Sequence, residues 1–176
     1  MSDPAPSSRV HHHRRAAPER VPTAIVTVSD TRTLETDTGG ALAAELLEGA
    51  GHPVVDRSVV ADEPGEIAAA FHRLVSRDDV RALIFTGGTG VAPRDVTPDA
   101  LEPLLDRVVP GFGELFRALS FQEIGSAALL SRALAGLAGG RVVVVLPGSR
   151  GAVALAMERL VLPELGHLAG EAVKTR

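Results

Sequence analysis

The chain has no cysteine, no tryptophan and no tyrosine among its 176 residues. Without cysteine there is no disulfide frame, no thiol nucleophile and no thiolate metal site, and the absence fits a reducing, cytoplasmic setting. Five phenylalanines are its only large aromatic side chains, which leaves little for holding a ligand between stacked rings. No apolar run approaches the ~18 residues of a membrane span, and the first residues lack the apolar stretch of a secretory signal. A basic surface is missing too: the net charge of −4 argues against nucleic acid as a partner. What is left is an ordinary globular composition, 45% hydrophobic and 23% charged, long enough for one domain with a core of its own.

Residues 1–20 read as a flexible extension rich in proline, serine and arginine, with His11, His12 and His13 as part of a solvated polar tail. Residues 21–176 alternate strand and helix. Ala24 to Val28 is a β-rich run that ends in Ser29 and Asp30. Asp37 and Thr38 can cap a helix whose apolar stripe carries Leu42, Leu46 and Ala50. Val54 to Val60 predicts a second strand, and Ile67, Phe71, Leu74 and Val75 mark a second helix. Arg81 to Phe85 predicts a third strand, and Pro98 to Leu105 a short helix with Thr97 as its cap. Phe112, Leu115, Phe116 and Leu119 stripe a further helix. Val142 to Leu146 is apolar throughout, as suits a strand covered on both faces, and Ser149 can cap a last long helix. This alternation predicts an α/β fold, a three-layer αβα sandwich around a mainly parallel sheet.

In such folds ligands bind where loops leave the carboxyl ends of the strands. Four loops are expected on that rim: Ser29-Asp30, Asp62-Glu63, the glycine loop with Asp95, and Pro147-Gly148-Ser149. The glycine loop, Thr86-Gly87-Gly88-Thr89-Gly90, follows a strand and precedes a helix opened by Thr97 and Pro98. Such a turn exposes backbone N–H groups to an anion without a Cβ in the way. It fits neither the phosphate-loop lysine pattern nor the dinucleotide fingerprint. Asp62 and Asp95 are the carboxylates of most interest, because a Mg²⁺ bound to substrate phosphates takes one or two carboxylate oxygens. Taken singly, Asp62 could cap the helix from Pro64, and Asp95 could pair with Arg94. Arg132, after Ser131, suits bidentate contact with an anion. His52, His72 and His167 have no paired spacing and read as surface or cap residues.

Several motifs in order resemble the MoaB/Mog proteins of molybdenum cofactor biosynthesis, closest to the MoaB branch. They are Val26 to Asp30, Thr86 to Gly90, Pro93 to Ala100, Pro110 to Glu114, Leu130 to Arg132 and Leu146 to Ser149, spanning about Thr23 to Leu168. The resemblance implies a molybdopterin-binding fold assembled as a homotrimer, sometimes paired into a homohexamer, with other enzymes of the pathway as partners. In the catalytic branch it implies Mg²⁺–ATP-dependent adenylylation of molybdopterin. By analogy Asp62 and Asp95 would be catalytic and hold Mg²⁺. Thr86, Gly87, Gly88, Thr89 and Gly90 would cradle phosphate, beside Ser29 and Asp30. Ser131, Arg132, Pro147, Gly148 and Ser149 would face the pterin side. Such a transfer needs positioning and charge neutralisation more than a strong base, which suits a chain without cysteine. The alternative within the family is a non-catalytic molybdopterin carrier. A flavodoxin-like electron carrier fits poorly, because no tryptophan or tyrosine can stack a flavin. The related domain of nicotinamide-nucleotide amidohydrolases has a different glycine loop.

Overall fold

The four strands expected from the apolar runs are all present and mutually parallel: β1 (Thr23–Val28), β2 (Val54–Val60), β3 (Ala82–Thr86) and β6 (Arg141–Leu146). The structure, a computed structural model, describes residues 18–174. The extension expected over residues 1–20, with His11 to His13, therefore lies almost wholly outside the described residues. Two short strands lie beyond the sequence expectation, β4 (Arg107–Val108) and β5 (Leu134–Ala138), and they add an antiparallel flank to β6. The sheet order is β2-β1-β3-β6-β5-β4. The segment Leu-Ala-Gly-Leu-Ala of β5 has no β-branched residue, so local propensity gives no strand signal. It is a strand because it pairs with β6, from Leu134 opposite Val145 to Ala138 opposite Arg141.

Helices cover both faces of the sheet. α1 (Thr38–Gly49), α4 (Pro110–Ile124), α5 (Arg150–Ala156) and α6 (Leu162–Ala172) pack with Ile25, Ile84, Val142 and Val144 on one side. α2 (Pro64–Val75) and α3 (Thr97–Leu101) pack with Val26, Leu83, Phe85 and Val145 on the other. Alternate residues of each central strand thus feed two different cores, which is why these strands read as unbroken apolar runs. Truncating the fully buried Phe85 to alanine would cost about 3–5 kcal/mol.

Several local expectations shift. The buried seam of α1 is Gly39, Gly40, Ala43 and Leu47, while Leu42 and Leu46 are half-buried and Ala50 is exposed. The helix turns that way because Gly39 and Gly40 press against the Gly148 carbonyl and the Asp37 and Thr27 side chains. Asp37 caps α1 as expected, accepting from Gly40 N at 2.9 Å. Thr97 is the first residue of α3 and not its cap, and α3 gives way at Glu102–Leu104 to a tighter turn that ends before Leu105. Ser149 caps α5, accepting from Ala152 N at 3.3 Å. A wide turn at Met157–Val161 joins α5 to α6, so the long last helix is interrupted. His52 is not a surface residue as its isolated spacing suggests: it is buried, and its Nδ1 accepts the Val21 N–H at 3.1 Å.

Candidate functional site

All four parallel strands end at the same edge of the sheet, and backbone contacts tie those ends together. Ser29 N donates to Val60 O and Gly87 N to Leu146 O, each at 2.9 Å. Gly87 (φ 103°) passes so close to β1 that a Cβ there would lie 2.3 Å from Val28 O. A Cβ on Gly148 would lie 3.2 Å from Gly87 Cα. Glycine at both positions is what lets β1, β3 and β6 bring their loops within reach of one another.

Beneath the rim a buried polar network braces this junction. Thr27 Oγ1 donates to Asp37 Oδ2 at 2.7 Å and lies 3.2 Å from Thr86 Oγ1. Arg57 reaches the same Asp37 oxygen at 3.3 Å. Asp37 is thus both helix cap and anchor between the first and second strands, a role its capping position alone did not reveal.

The acidic half of the rim gathers three carboxylates. Asp30 N donates to Asp62 Oδ2 and Asp62 N to Asp30 Oδ1, both at 3.1 Å. This exchange locks the β1 and β2 loops together and accounts for Asp62 leaving the cap of α2 to Glu63. Asp62 Oδ1 faces the glycine loop, 3.1 Å from where a Cβ on Gly88 would stand. Asp95 lies against Gly90, and its Oδ2 accepts from Ala92 N at 2.9 Å. Arg94 pairs with Asp30 at 2.5 Å, with Glu63 at 3.7 Å, and not with its neighbour Asp95. Burial first, then the negative charges of Asp30 and Asp95, push the Asp62 carboxyl above its ordinary range. The Asp30 N–H and the Arg94 charge pull it the other way. The Asp95 charge, the smallest of these influences, reaches Asp62 across the glycine loop.

The other half is a cleft of about 230 Å³ whose lining includes Thr89, Gly90, Ser131, Pro147, Ser149 and Phe116. Thr89 and Gly90 belong to both halves. Ser131 follows a tight helical turn, Gly125–Leu130, and leads into β5. Arg132 turns its guanidinium away from the cleft and onto protein acceptors: Gly90 O, Asp95 O and the Asp99 carboxylate. Asp99 has no assignment from the sequence and Arg94 only the pairing with Asp95, because pairs 33 and 64 residues apart leave no local spacing signal.

Among the described residues no three metal-ligating side chains form a cage. A Mg²⁺ that arrives on phosphates needs only one or two carboxylates from the protein and keeps waters for the rest. Asp62 and Asp95, each with one oxygen that accepts no described protein hydrogen bond, fit that demand. Among the described residues no helix is long and apolar enough to cross a membrane.

A mainly parallel α/β sheet with carboxylates and a cleft on its carboxyl rim belongs to the class of fold in which small molecules bind at that rim. Relatives narrow this class. The family described as "Probable molybdopterin binding domain" matches residues 24–167. Molybdenum cofactor biosynthesis protein B of Halalkalibacterium halodurans is 50% identical over 168 residues, covering 95% of this chain and 99% of that protein. A crystal structure of a molybdenum cofactor biosynthesis protein B has a TM-score of 0.86 at 50% identity, over 89% of this chain and 98% of that one. The tungsten cofactor synthesizing protein MoaB from Pyrococcus furiosus is 33% identical with a TM-score of 0.81, over 90% of this chain and 100% of that one. The chain belongs to this family of molybdenum cofactor biosynthesis proteins. Both the resemblance to MoaB and Mog and the α/β fold it implied are borne out.

Proposed function

We propose that the chain adenylylates molybdopterin, using Mg²⁺–ATP as donor. The observation that carries this reading is the junction at Thr89 and Gly90. On one side two carboxylates, Asp62 and Asp95, flank a loop of bare amides; on the other opens the cleft bordered by Ser131, Pro147 and Ser149. The Gly87 N–H is taken up by Leu146 O, so a triphosphate laid along the loop would meet the backbone N–H groups of Gly88 to Gly90, and a pterin phosphate in the cleft would approach its α-phosphorus.

In the proposed step the terminal phosphate oxygen of molybdopterin forms the new bond to that α-phosphorus. The bond from the α-phosphorus to the bridging oxygen breaks, and pyrophosphate leaves with the electron pair. The nucleophile is already an anion at neutral pH, so no side chain has to take a proton. Bound Mg²⁺ supplies charge neutralisation on the phosphates. Asp62 and Asp95 orient the cation-bearing triphosphate, while the loop amides hold the transferred group in place. Ser131 and Ser149 offer hydroxyls to the pterin phosphate from the cleft wall. Arg94, mostly exposed and held by Asp30, balances the acidic cluster until the cation arrives.

A second reading is molybdopterin carriage without transfer, which would use the cleft at Thr89, Ser131 and Ser149 and not the carboxylates. The proposal extends to assembly as a homotrimer or homohexamer in the cytoplasm, alongside other enzymes of the pathway. Exposed Leu115, Phe121, Ile124, Leu129 and Leu130 give α4 and the turn after it an apolar surface suited to a second copy. The test of the reaction is Asp95→Asn. AMP transfer should fall on the order of 100-fold or more while molybdopterin binding is kept; undiminished turnover would remove Asp95 from the mechanism.

A further inference from the structure

The loop from Gly90 to Asp95 carries a proposed catalytic carboxylate, yet little packs on it. Val91 is 62% exposed and the Arg94 side chain 69% exposed. Its internal bonds are confined to one turn, Asp95 N to Ala92 O and Ala92 N to Asp95 Oδ2, each at 2.9 Å. Something else must hold the ends of the loop, and one side chain reaches both. Arg132 Nε donates to Gly90 O at 2.7 Å, and an Nη donates to Asp95 O. The other Nη lies 2.8 and 3.0 Å from the two Asp99 oxygens, and the Arg132 backbone N–H donates to Thr89 O at 2.9 Å.

We infer that Arg132 is a positioning residue that staples the loop shut and so fixes the Asp95 carboxylate from outside the site. Three features of the geometry carry this. Each guanidinium nitrogen already has a protein acceptor, so the group is not held in reserve for a phosphate. The acceptors are main-chain carbonyls at the two ends of the loop, which pins backbone and not merely a side chain. The Asp99 carboxylate, set at the third position of α3, holds the fork in plane and offsets its charge. Asp95 is then free to direct its carboxylate to the opposite side, where Oδ1 accepts no described protein hydrogen bond. A lysine at this position keeps the charge and loses the fork, since an ammonium on a flexible stem does not span two carbonyls in a fixed plane. Displacing a positioned group by about 1 Å is enough to cost on the order of 100-fold in rate.

The rate arm of the test rests on the adenylylation reading; the exchange arm does not. Arg132→Ala and Arg132→Lys are compared with the parent protein in two measurements. Pyrophosphate release from Mg²⁺–ATP with molybdopterin should fall roughly 10- to 100-fold in kcat for both variants, with the molybdopterin dissociation constant within about twofold of the parent. Guanidinium chloride at non-denaturing concentration should restore turnover of Arg132→Ala, and methylammonium chloride should not. Amide hydrogen exchange, followed by mass spectrometry without any substrate, should quicken at least about tenfold in the segment 90–96 of both variants. Guanidinium should slow it again in Arg132→Ala. Unchanged exchange there in both variants overturns the staple, and so does rescue by methylammonium as effective as by guanidinium. If the parent protein releases no pyrophosphate, the adenylylation reading fails, and the exchange arm still decides the role of Arg132. Should Arg132→Ala fail to fold, exchange in Arg132→Lys decides the same question.

Discussion

Gly88→Ala puts a tightly packed point of the proposed site under strain. Gly88 has φ +62°, a conformation that costs a residue with a Cβ about 1 kcal/mol or more. The new Cβ would stand 2.4 Å from Thr97 Oγ1 and 3.1 Å from Asp62 Oδ1. Thr97 has little room to retreat: it is fully buried, and its N–H is bonded to Gly88 O at 3.1 Å. Overpacking of this kind adds roughly 1–3 kcal/mol, for a total of about 2–4 kcal/mol. In a domain of this size that lowers the melting temperature by roughly 5–15 °C. Relief by movement of Asp62 would instead weaken Mg²⁺–ATP binding. Gly65→Ala is the matched control, since a Cβ there meets nothing within 4 Å on the first turn of α2; it should be neutral or stabilise by about 0.5–1 kcal/mol. Thermal melts and nucleotide titrations on the two variants decide the matter. A Gly88→Ala protein that melts within a degree of the parent and binds Mg²⁺–ATP equally well would refute the packing argument for the loop.

Further outcomes follow from other parts of the molecule. Removing the Arg94 charge with Arg94→Gln deletes an influence that lowers the Asp62 pKa, so the acid limb of Mg²⁺–ATP binding should move to higher pH; a limb that stays put or moves down contradicts the charge arrangement. His52 is held neutral by burial, with its pKa below the ordinary 6.5. The unfolded chain therefore takes up a proton that the folded chain resists, and stability present above pH ~6.5 declines as the pH falls through that value. His52→Gln should flatten this part of a pH–denaturation profile, and an unchanged profile would show that the His52–Val21 bond does not set it. Phe121→Glu, on the exposed face of α4, should convert the proposed oligomer to smaller species in light scattering; a parent protein that is itself monomeric would dismiss the assembly.

The parallel core could be read from the chain because β1, β3 and β6 are buried on both faces and so print as continuous apolar runs. The flank could not: β4 has two residues and β5 is rich in alanine and glycine, and each owes its strand geometry to a partner far away in sequence. The site divides the same way. Asp62, Asp95 and the glycine loop announced themselves by position after strands, and the structure brings them to one rim. The partners of Arg132 and Arg94 are long-range, and an arginine beside a glycine-rich loop reads as a ligand contact until its acceptors are seen. The helix stripe of α1 was offset by one residue because Gly39 and Gly40 determine its closest approach, and glycine adds nothing to an apolar pattern.

In the proposed reaction two rim carboxylates and a run of loop amides serve group transfer and not binding alone. Pyrophosphate release from Mg²⁺–ATP, measured with molybdopterin present and absent, addresses it directly. Release should require molybdopterin, match the adenylylated pterin formed and disappear in Asp95→Asn. Tight molybdopterin binding with no pyrophosphate at any concentration of Mg²⁺–ATP would contradict it and leave carriage as the function.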